Sequence, residues 1–387
     1  RGGAAKRTVY QGSVSDIALP PARAYRVVID DKAGLARAIG DETKRLGAPV
    51  QTASAAAVAT RNHFGARDFM ELGVGCESCH NGARAHAQSK GAVPSSLVPT
   101  SPLLHVELDG NRDIAPAQQI NHVCLRCHTV LFSQYSFTWE GGLRAQSPGG
   151  STINSGEARD FQLGGCADRM SCVRCHDPHG RDAREKLDSM GTVAGNGLCL
   201  SCHANIAGDV SAHTHHASDS AGSACLACHM PKKNAGLDGN LTRYHRIGSP
   251  TDDARVLGDR PLECALCHAD KSVASIVNDM ERLWGKRYDR AKLTALYGDD
   301  LDVNALIATV QRGHPHEQLV AADVLGERGV VAGVPALVDA LPSRIPLVRP
   351  YIKRALERLR HAPFDVNLDD DADALAASAR AIYRASP

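Results

Sequence analysis

The sequence predicts a fold that is mostly α-helical and irregular, with little sheet: a core with little regular structure of its own, followed by a C-terminal α-helical module. Three observations predict it. Twelve of the 13 cysteines fall into six copies of one five-residue pattern. The stretch carrying them is rich in Gly, Pro, Ser and Asn, as in Gln146 to Gly156, and interrupts any long periodic run. Beyond it, an apolar pattern of helical period recurs after 31 residues.

At 387 residues the chain is long enough to bury a core without disulfides, so its cysteines need another explanation. With 44 Lys and Arg against 43 Asp and Glu there is no overall basic field, and no nucleic-acid partner is expected. No apolar run approaches a membrane span; the small-residue stretch Ala53 to Ala59 is short and interrupted by Ser54, so no transmembrane segment is expected. Only 16 residues are Phe, Trp or Tyr, although aromatic rings usually supply much of a core's buried area.

The repeated pattern is Cys-x-x-Cys-His. It occurs at Cys76, Cys79 and His80; Cys124, Cys127 and His128; Cys172, Cys175 and His176; Cys199, Cys202 and His203; Cys225, Cys228 and His229; and Cys264, Cys267 and His268. With 13 Cys and 18 His, chance would give about 0.02 occurrences, and the pattern reads as covalent attachment of c-type haem. Two thiols add across the vinyl groups on one porphyrin edge, and the next residue offers an imidazole to the iron. Zinc sites use two Cys pairs per metal and give no reason for a His after every second Cys. A Cys-x-x-Cys disulfide is a redox-enzyme motif, normally one per domain. Six haem c groups, each with its iron, are therefore the expected cofactors. Cys166 is left over and reads as a buried free thiol; an axial role for it or for Met170 is the sharper alternative.

Twelve histidines lie outside the motifs, nine of them among the haem-binding stretch. Nine candidates for six distal positions favour bis-histidine irons, which leave no place for a substrate and so point to electron transfer rather than catalysis. The distal set expected is His63, His86, His122, His179, His216 and His245. His216 stands for the cluster His213-Thr-His-His216, of which one member is expected to bind, and His105 is the reserve. His86 and His179 sit on turns just past a haem motif, each placed to reach a neighbouring haem.

Val74-Gly-Cys-Glu-Ser-Cys-His80 with His86, His176-Asp-Pro-His-Gly180 and Asn196-Gly-Leu-Cys-Leu-Ser-Cys-His203, followed by the cluster His213 to His216, Cys225 to Pro231, Tyr244-His245 and Cys264 to Asp270, resemble multihaem cytochromes of the doubled Cys-x-x-Cys-His, cytochrome c554-like type. The resemblance covers about residues 60 to 285 and lies in motif order as well as in the motifs. It implies closely stacked haems, mostly bis-histidine ligation and export through the general secretory route. Members often carry a His-rich segment before Asp-Pro-His, whereas Ser151 to Asp160 has no histidine, so that segment offers no distal ligand here. No Cys-x-x-Cys-Lys variant occurs, so the catalytic haem typical of ammonia-forming nitrite reductases is absent.

Three segments follow: residues 1–60 as a cap or arm, 61–285 as the hexahaem domain and 286–387 as the helical domain. In the first, Tyr25 to Ile29 reads as a strand and Asp31 to Leu46 as a helix ended by Gly47. In the second, the first cysteines step by 48, 48, 27, 26 and 39 residues, with a short helix expected at each motif. In the third, Val303, Leu306, Ile307 and Val310 share a helical face that Val334, Leu337, Val338 and Leu341 repeat. Ala321, Val324 and Leu325 give a partner helix closed by Gly326 and Gly329, Pro335 suits a first turn, and Tyr351 to Leu359 adds another apolar face. The block resembles HEAT-like repeats with a period shorter than the usual ~40 residues, or else a plain helical bundle. The acidic run Asp369 to Asp373 reads as a solvated turn.

The expected function is electron transfer by a carrier rather than an enzyme. Its partners are other redox proteins or cytochromes, or copies of itself joined head to tail into an oligomer or filament. Two rivals stand beside it. One is a reductase of a small nitrogen or sulfur compound with one open iron; the other is an electron-transfer subunit docked to a membrane redox complex. Thioether attachment happens outside the cytoplasm, so the expected location is periplasmic or extracellular. Each haem with its propionates adds about −1 when ferric and about −2 when ferrous, so a formal charge of +1 becomes roughly −5 to −11 and favours basic partners.

Overall fold

The computed structural model describes residues 40, 44, 74–97, 116–125, 127–128, 156–180, 183–236, 239–343 and 345–385. The expected strand at Tyr25 to Ile29 and helix at Asp31 to Leu46 fall outside these residues, apart from Gly40 and Lys44, which are helical. The chain forms two compact units, Arg1–Val106 and Glu107–Pro387. The described residues are mostly helical, and their sheet is a single antiparallel pair. No helix among them is long and apolar enough to cross a membrane.

In the first unit, α1 (Cys76–Cys79) carries the two cysteines of the first motif and α2 (Ala83–Gln88) carries His86. Between them Gly82 adopts φ +77°, a conformation that costs a glycine little and lets the chain turn within three residues. The Asn81 amide donates to the carbonyls of Ser96 and Leu97 at 3.2 and 3.1 Å, tying the motif to the strand-like stretch beyond it.

The second unit begins with short helices joined by turns. They are α3 (Pro116–Leu125), α4 (Glu157–Gln162), α5 (Ala183–Met190), α6 (Asn196–Leu200), α7 (Ala204–Ala207), α8 (Val210–Thr214) and α9 (Cys225–His229). Strands β1 (Lys232–Ala235) and β2 (Leu241–Arg243) then pair, with Ala235 opposite Leu241 and a register shift between Lys232 and Asn234. After α10 (Asp253–Val256) come the longer helices α11 (Val273–Trp284), α12 (Arg290–Tyr297), α13 (Ala305–Arg312), α14 (Pro315–Arg328), α15 (Val334–Ala340), α16 (Arg349–Arg360) and α17 (Ala372–Ala385).

The two halves of this unit are held together differently. Among described residues 156–229 the buried apolar side chains are Ala158, Phe161 and Ala224, too few for a core. From Leu262 onward the buried set is dense, with Leu306, Val310, Leu319, Leu325, Leu337, Ile352 and Leu356 all fully enclosed. Each of these removes ~2 kcal/mol of apolar exposure from water.

Three sequence expectations need adjusting. Gly326 does not end a helix but lies inside α14, where a Cβ would stand 2.8 Å from the Cα of Ala355, so its missing side chain lets α14 and α16 pack closely there. The helix ends at Gly329, φ +69°, as expected. Val303 precedes α13, its carbonyl accepting from the Val273 amide, and Asn304 starts the helix by accepting from the amides of Leu306 and Ile307. Finally, the acidic run does more than meet solvent: Asp371 accepts from the amides of Asp373 and Ala374, so it caps the start of α17.

A buried ionic network joins the sheet to the long helices. The Lys233 ammonium, fully enclosed, donates to Asp259 at 2.6 Å and to the Pro261 carbonyl at 3.0 Å. The Arg260 guanidinium meets Glu317 at 2.9 Å and also donates to the carbonyls of Leu296 and Arg312. Asp259, His316 and Glu317 place three ligand-type atoms within 4.8 Å of one another. Both carboxylates are engaged by buried cations, so this cluster is an ion network rather than a cation site.

Candidate metal centres

Each motif forms one tight helical turn. The amide of its histidine donates to the carbonyl of its first cysteine at 2.7 Å in His80, 2.9 Å in His128, His176 and His268, and 3.0 Å in His203; in α9 the turn is part of the helix itself. That closure puts the two cysteines three residues apart on one face, with the imidazole just beyond them, the arrangement that two thioethers and an iron bond require.

Three motif histidines face a second histidine. His176 and His245 have ring centres 6.1 Å apart and planes 18° from parallel; His229 and His213 are at 6.0 Å and 11°; His268 and His216 are at 6.0 Å and 29°. Two metal–nitrogen bonds of about 2 Å on opposite sides of an ion would place ring centres roughly 6 Å apart. His314 and His316 are similarly spaced at 5.8 Å, but they are two residues apart in sequence and no cysteine pair accompanies them. Spacing counts here because it coincides, three times, with a motif histidine.

The second nitrogens support the same fit. Nδ1 of His229 donates to the Gly248 carbonyl at 2.9 Å, that of His245 to Arg243 at 2.8 Å and that of His216 to Thr214 at 2.7 Å. A carbonyl only accepts, so Nδ1 carries the proton and Nε2 keeps its lone pair for a metal. His86 in the first unit is set the same way, with Nδ1 on the Val93 carbonyl at 2.8 Å. His128 differs: its Nδ1 meets the Glu157 carboxylate at 3.3 Å. Burial pushes His176, His229, His245 and His268 below the ordinary imidazole range, favouring the neutral ring that binds metal.

The remaining expected residues are placed less closely. His122 lies on α3, two residues before Cys124. His179 follows the third motif, its amide donating to Asp177 at 3.1 Å. His63 and His105 lie outside the described residues. Cys166 is half-buried rather than buried and lies near the fourth motif; burial, then the nearby Cys199 and Cys202, push its thiol up.

Several residues carry information that motif reading overlooks. The cluster His213 to His216 is visible in the sequence, but not that two of its members face different motifs. Thr214 makes this possible: α8 ends there, and His215 turns the chain at φ +56°, so His213 and His216 leave in different directions. His215 itself meets Trp284 edge-on at 4.8 Å. Asn121 and Asn196 give no functional signal beyond standing three residues before a first cysteine, yet both are buried and bonded to a neighbouring motif.

The sulfurs of successive motifs in this unit lie close enough to sense one another. As free thiols, Cys124 is lowered to about 6 by the neighbouring Cys172 side chain and Cys225 to about 7 by Cys199, while burial followed by the Cys267 charge raises Cys228 to about 11. No curated protein and no solved structure matches the chain. The family model described as the doubled CXXCH motif matches residues 165–208, which span the third and fourth motifs. With the turn geometry above, that match supports a c-type cytochrome that binds haem covalently through its Cys-x-x-Cys-His turns.

Proposed function

We propose that the protein is a hexahaem c-type cytochrome that passes electrons along a row of haems, most of them held between two histidines. The observation that carries this reading is the set of three motif histidines, each facing a second histidine about 6 Å away. Covalently bound haem supplies the one-electron chemistry between ferric and ferrous iron. The chain's residues do the rest. The cysteines fix each porphyrin edge, His176, His229 and His268 offer one axial nitrogen each, and His245, His213 and His216 offer the opposite one.

His80, His128 and His203 complete the proximal set, with His63, His86, His122 and His179 as distal candidates and His105 in reserve. Carbonyl acceptors on Nδ1 hold the distal rings of His245 and His216 in orientation, so little rearrangement accompanies a change in iron charge. The helical module, residues 286–387, backs this row through the Arg260–Glu317 pair and through the Tyr351 hydroxyl, which donates to the Gly236 carbonyl at 3.0 Å. The partners are other redox proteins, reached outside the cytoplasm, where thioethers form.

Intact-mass measurement of the mature protein, combined with carbon monoxide titration of its ferrous form, tests the reading. Six haem additions with no stoichiometric carbon monoxide uptake are expected. Uptake at one haem would show an open axial position there and overturn the electron-carrier reading in favour of a reductase with one substrate-accessible iron.

A further inference from the structure

Two asparagines make the same set of bonds in two places. Asn121 stands three residues before Cys124; its amide donates to the Met170 carbonyl at 3.2 Å, and its Oδ1 accepts from the Cys172 amide at 2.9 Å. Asn196 stands three residues before Cys199; its amide donates to the Ser223 carbonyl at 2.8 Å, and its Oδ1 accepts from the Cys225 amide at 2.8 Å. In each case the carbonyl lies two residues before the partner motif's first cysteine and the amide belongs to that cysteine.

Both asparagines are buried, 1% and 8% exposed, so water competes little for their side-chain amides. The other four motifs have Gly73, Arg169, Gly222 and Pro261 at this position, and none can make the bonds. Each asparagine ties the helical turn of one motif to the backbone of another motif's first cysteine: Asn121, one turn before Cys124, holds Cys172, and Asn196, one turn before Cys199, holds Cys225.

We propose that Asn121 and Asn196 are clasps that sort the haems of this unit into two close couples, second with third and fourth with fifth. First cysteines anchor one vinyl edge of each porphyrin, so a clasp that joins two of them sets the distance between two haem edges. The physical couples are then offset by one motif from the doubled unit of the sequence family, which spans the third and fourth motifs. Within a couple the clasp sets the distance; between couples it is set by other contacts. A clasp is a positioning device: it touches no iron and works through the cysteine backbone.

The inference rests on the hexahaem reading, and its test is kept separate from it. Soret circular dichroism reports haem couples as a two-signed exciton signal, and intact mass reports haem number. In the wild type, six haem additions and a two-signed signal are expected; a protein without haem would sink the functional reading itself, before any variant is made. Asn121→Leu and Asn196→Leu are each expected to keep six haems and lose part of the two-signed signal, with the losses adding in the double variant.

Asn→Asp at the same positions keeps the acceptor for the cysteine amide but not the donor, and is expected to lose less than the Leu variant. It also carries the measurement should a Leu variant load fewer haems. Six-haem variants with an unchanged exciton signal would overturn the clasp, as would haem loss mapped by peptide mass to motifs other than the two it joins.

Discussion

The indole N–H of Trp284 donates to the carbonyl of His213 at 3.1 Å. The last residue of α11 thereby holds the segment from which His213 and His216 reach two different motifs, and its ring closes on His215 between them. The three histidines of this cluster have separable roles. His213→Ala is expected to open one iron and His216→Ala another, each giving one equivalent of carbon monoxide uptake by the ferrous protein, and the double variant two. His215→Ala is expected to give none. Uptake by the His215 variant would show that the cluster is read in the wrong register.

Gly222 tests the same ring from the other side. A Cβ at this position would land on the His216 imidazole, so Gly222→Ala is expected to push that ring away from His268. The expected readout is a partial high-spin signal in the ferric spectrum from one haem, with the remaining haems unchanged. Gly197, whose added Cβ meets nothing within 4 Å, is the matched control, and Gly197→Ala is expected to leave the spectrum as in the wild type.

Arg260 and Glu317 are 6% and 3% exposed and form a pair between the stretch after α10 and the start of α14. Removing one partner leaves a buried charge without its counter-ion. Glu317→Gln is therefore expected to lower unfolding stability by ~3–5 kcal/mol in denaturant titration, and Arg260→Met by a similar amount. Replacing both with apolar residues is expected to recover much of the loss. An additive double variant would count against the pair as a unit.

Protein made without haem attachment should divide at the change in core density. Among the described residues before about residue 230 few apolar side chains are buried, while the helices after Leu262 enclose many. Limited proteolysis of the haem-free chain is expected to remove the first part and leave a helical fragment beginning near β1 and ending near residue 385. Equal protection across the whole chain would mean that polypeptide contacts, rather than haem, organise the first part.

Much of this architecture is legible in the sequence, for physical reasons that differ along the chain. The face formed by Leu337, Val338 and Leu341 is readable because helical period and burial are the same fact seen twice. Gly326 misleads because a glycine near the end of an apolar run has two uses, and only the approach of Ala355 distinguishes close packing from termination. The cysteine motifs are legible because covalent chemistry fixes their spacing. The pairing of His213 with His229 and of His216 with His268 is not, since it depends on how α8 is turned toward α9 and the sixth motif. The roles of Asn121 and Asn196 are silent for a related reason: an asparagine beside a loop ordinarily signals a turn, and its partners lie 49 to 51 residues away in one case and 27 to 29 in the other.

Those separations carry a consequence for how such chains diversify. Closing a longer loop costs little extra, ~0.6 kcal/mol for each doubling of its length, so the clasp at Asn121 spans 51 residues for about the same entropy as the clasp at Asn196 spans 29. Chain between clasped ends can then be inserted or lost with small thermodynamic effect while the two anchored edges stay where they are. Linear spacing between motifs becomes a free variable, and neighbours along the electron path need not be neighbours by any rule of sequence distance.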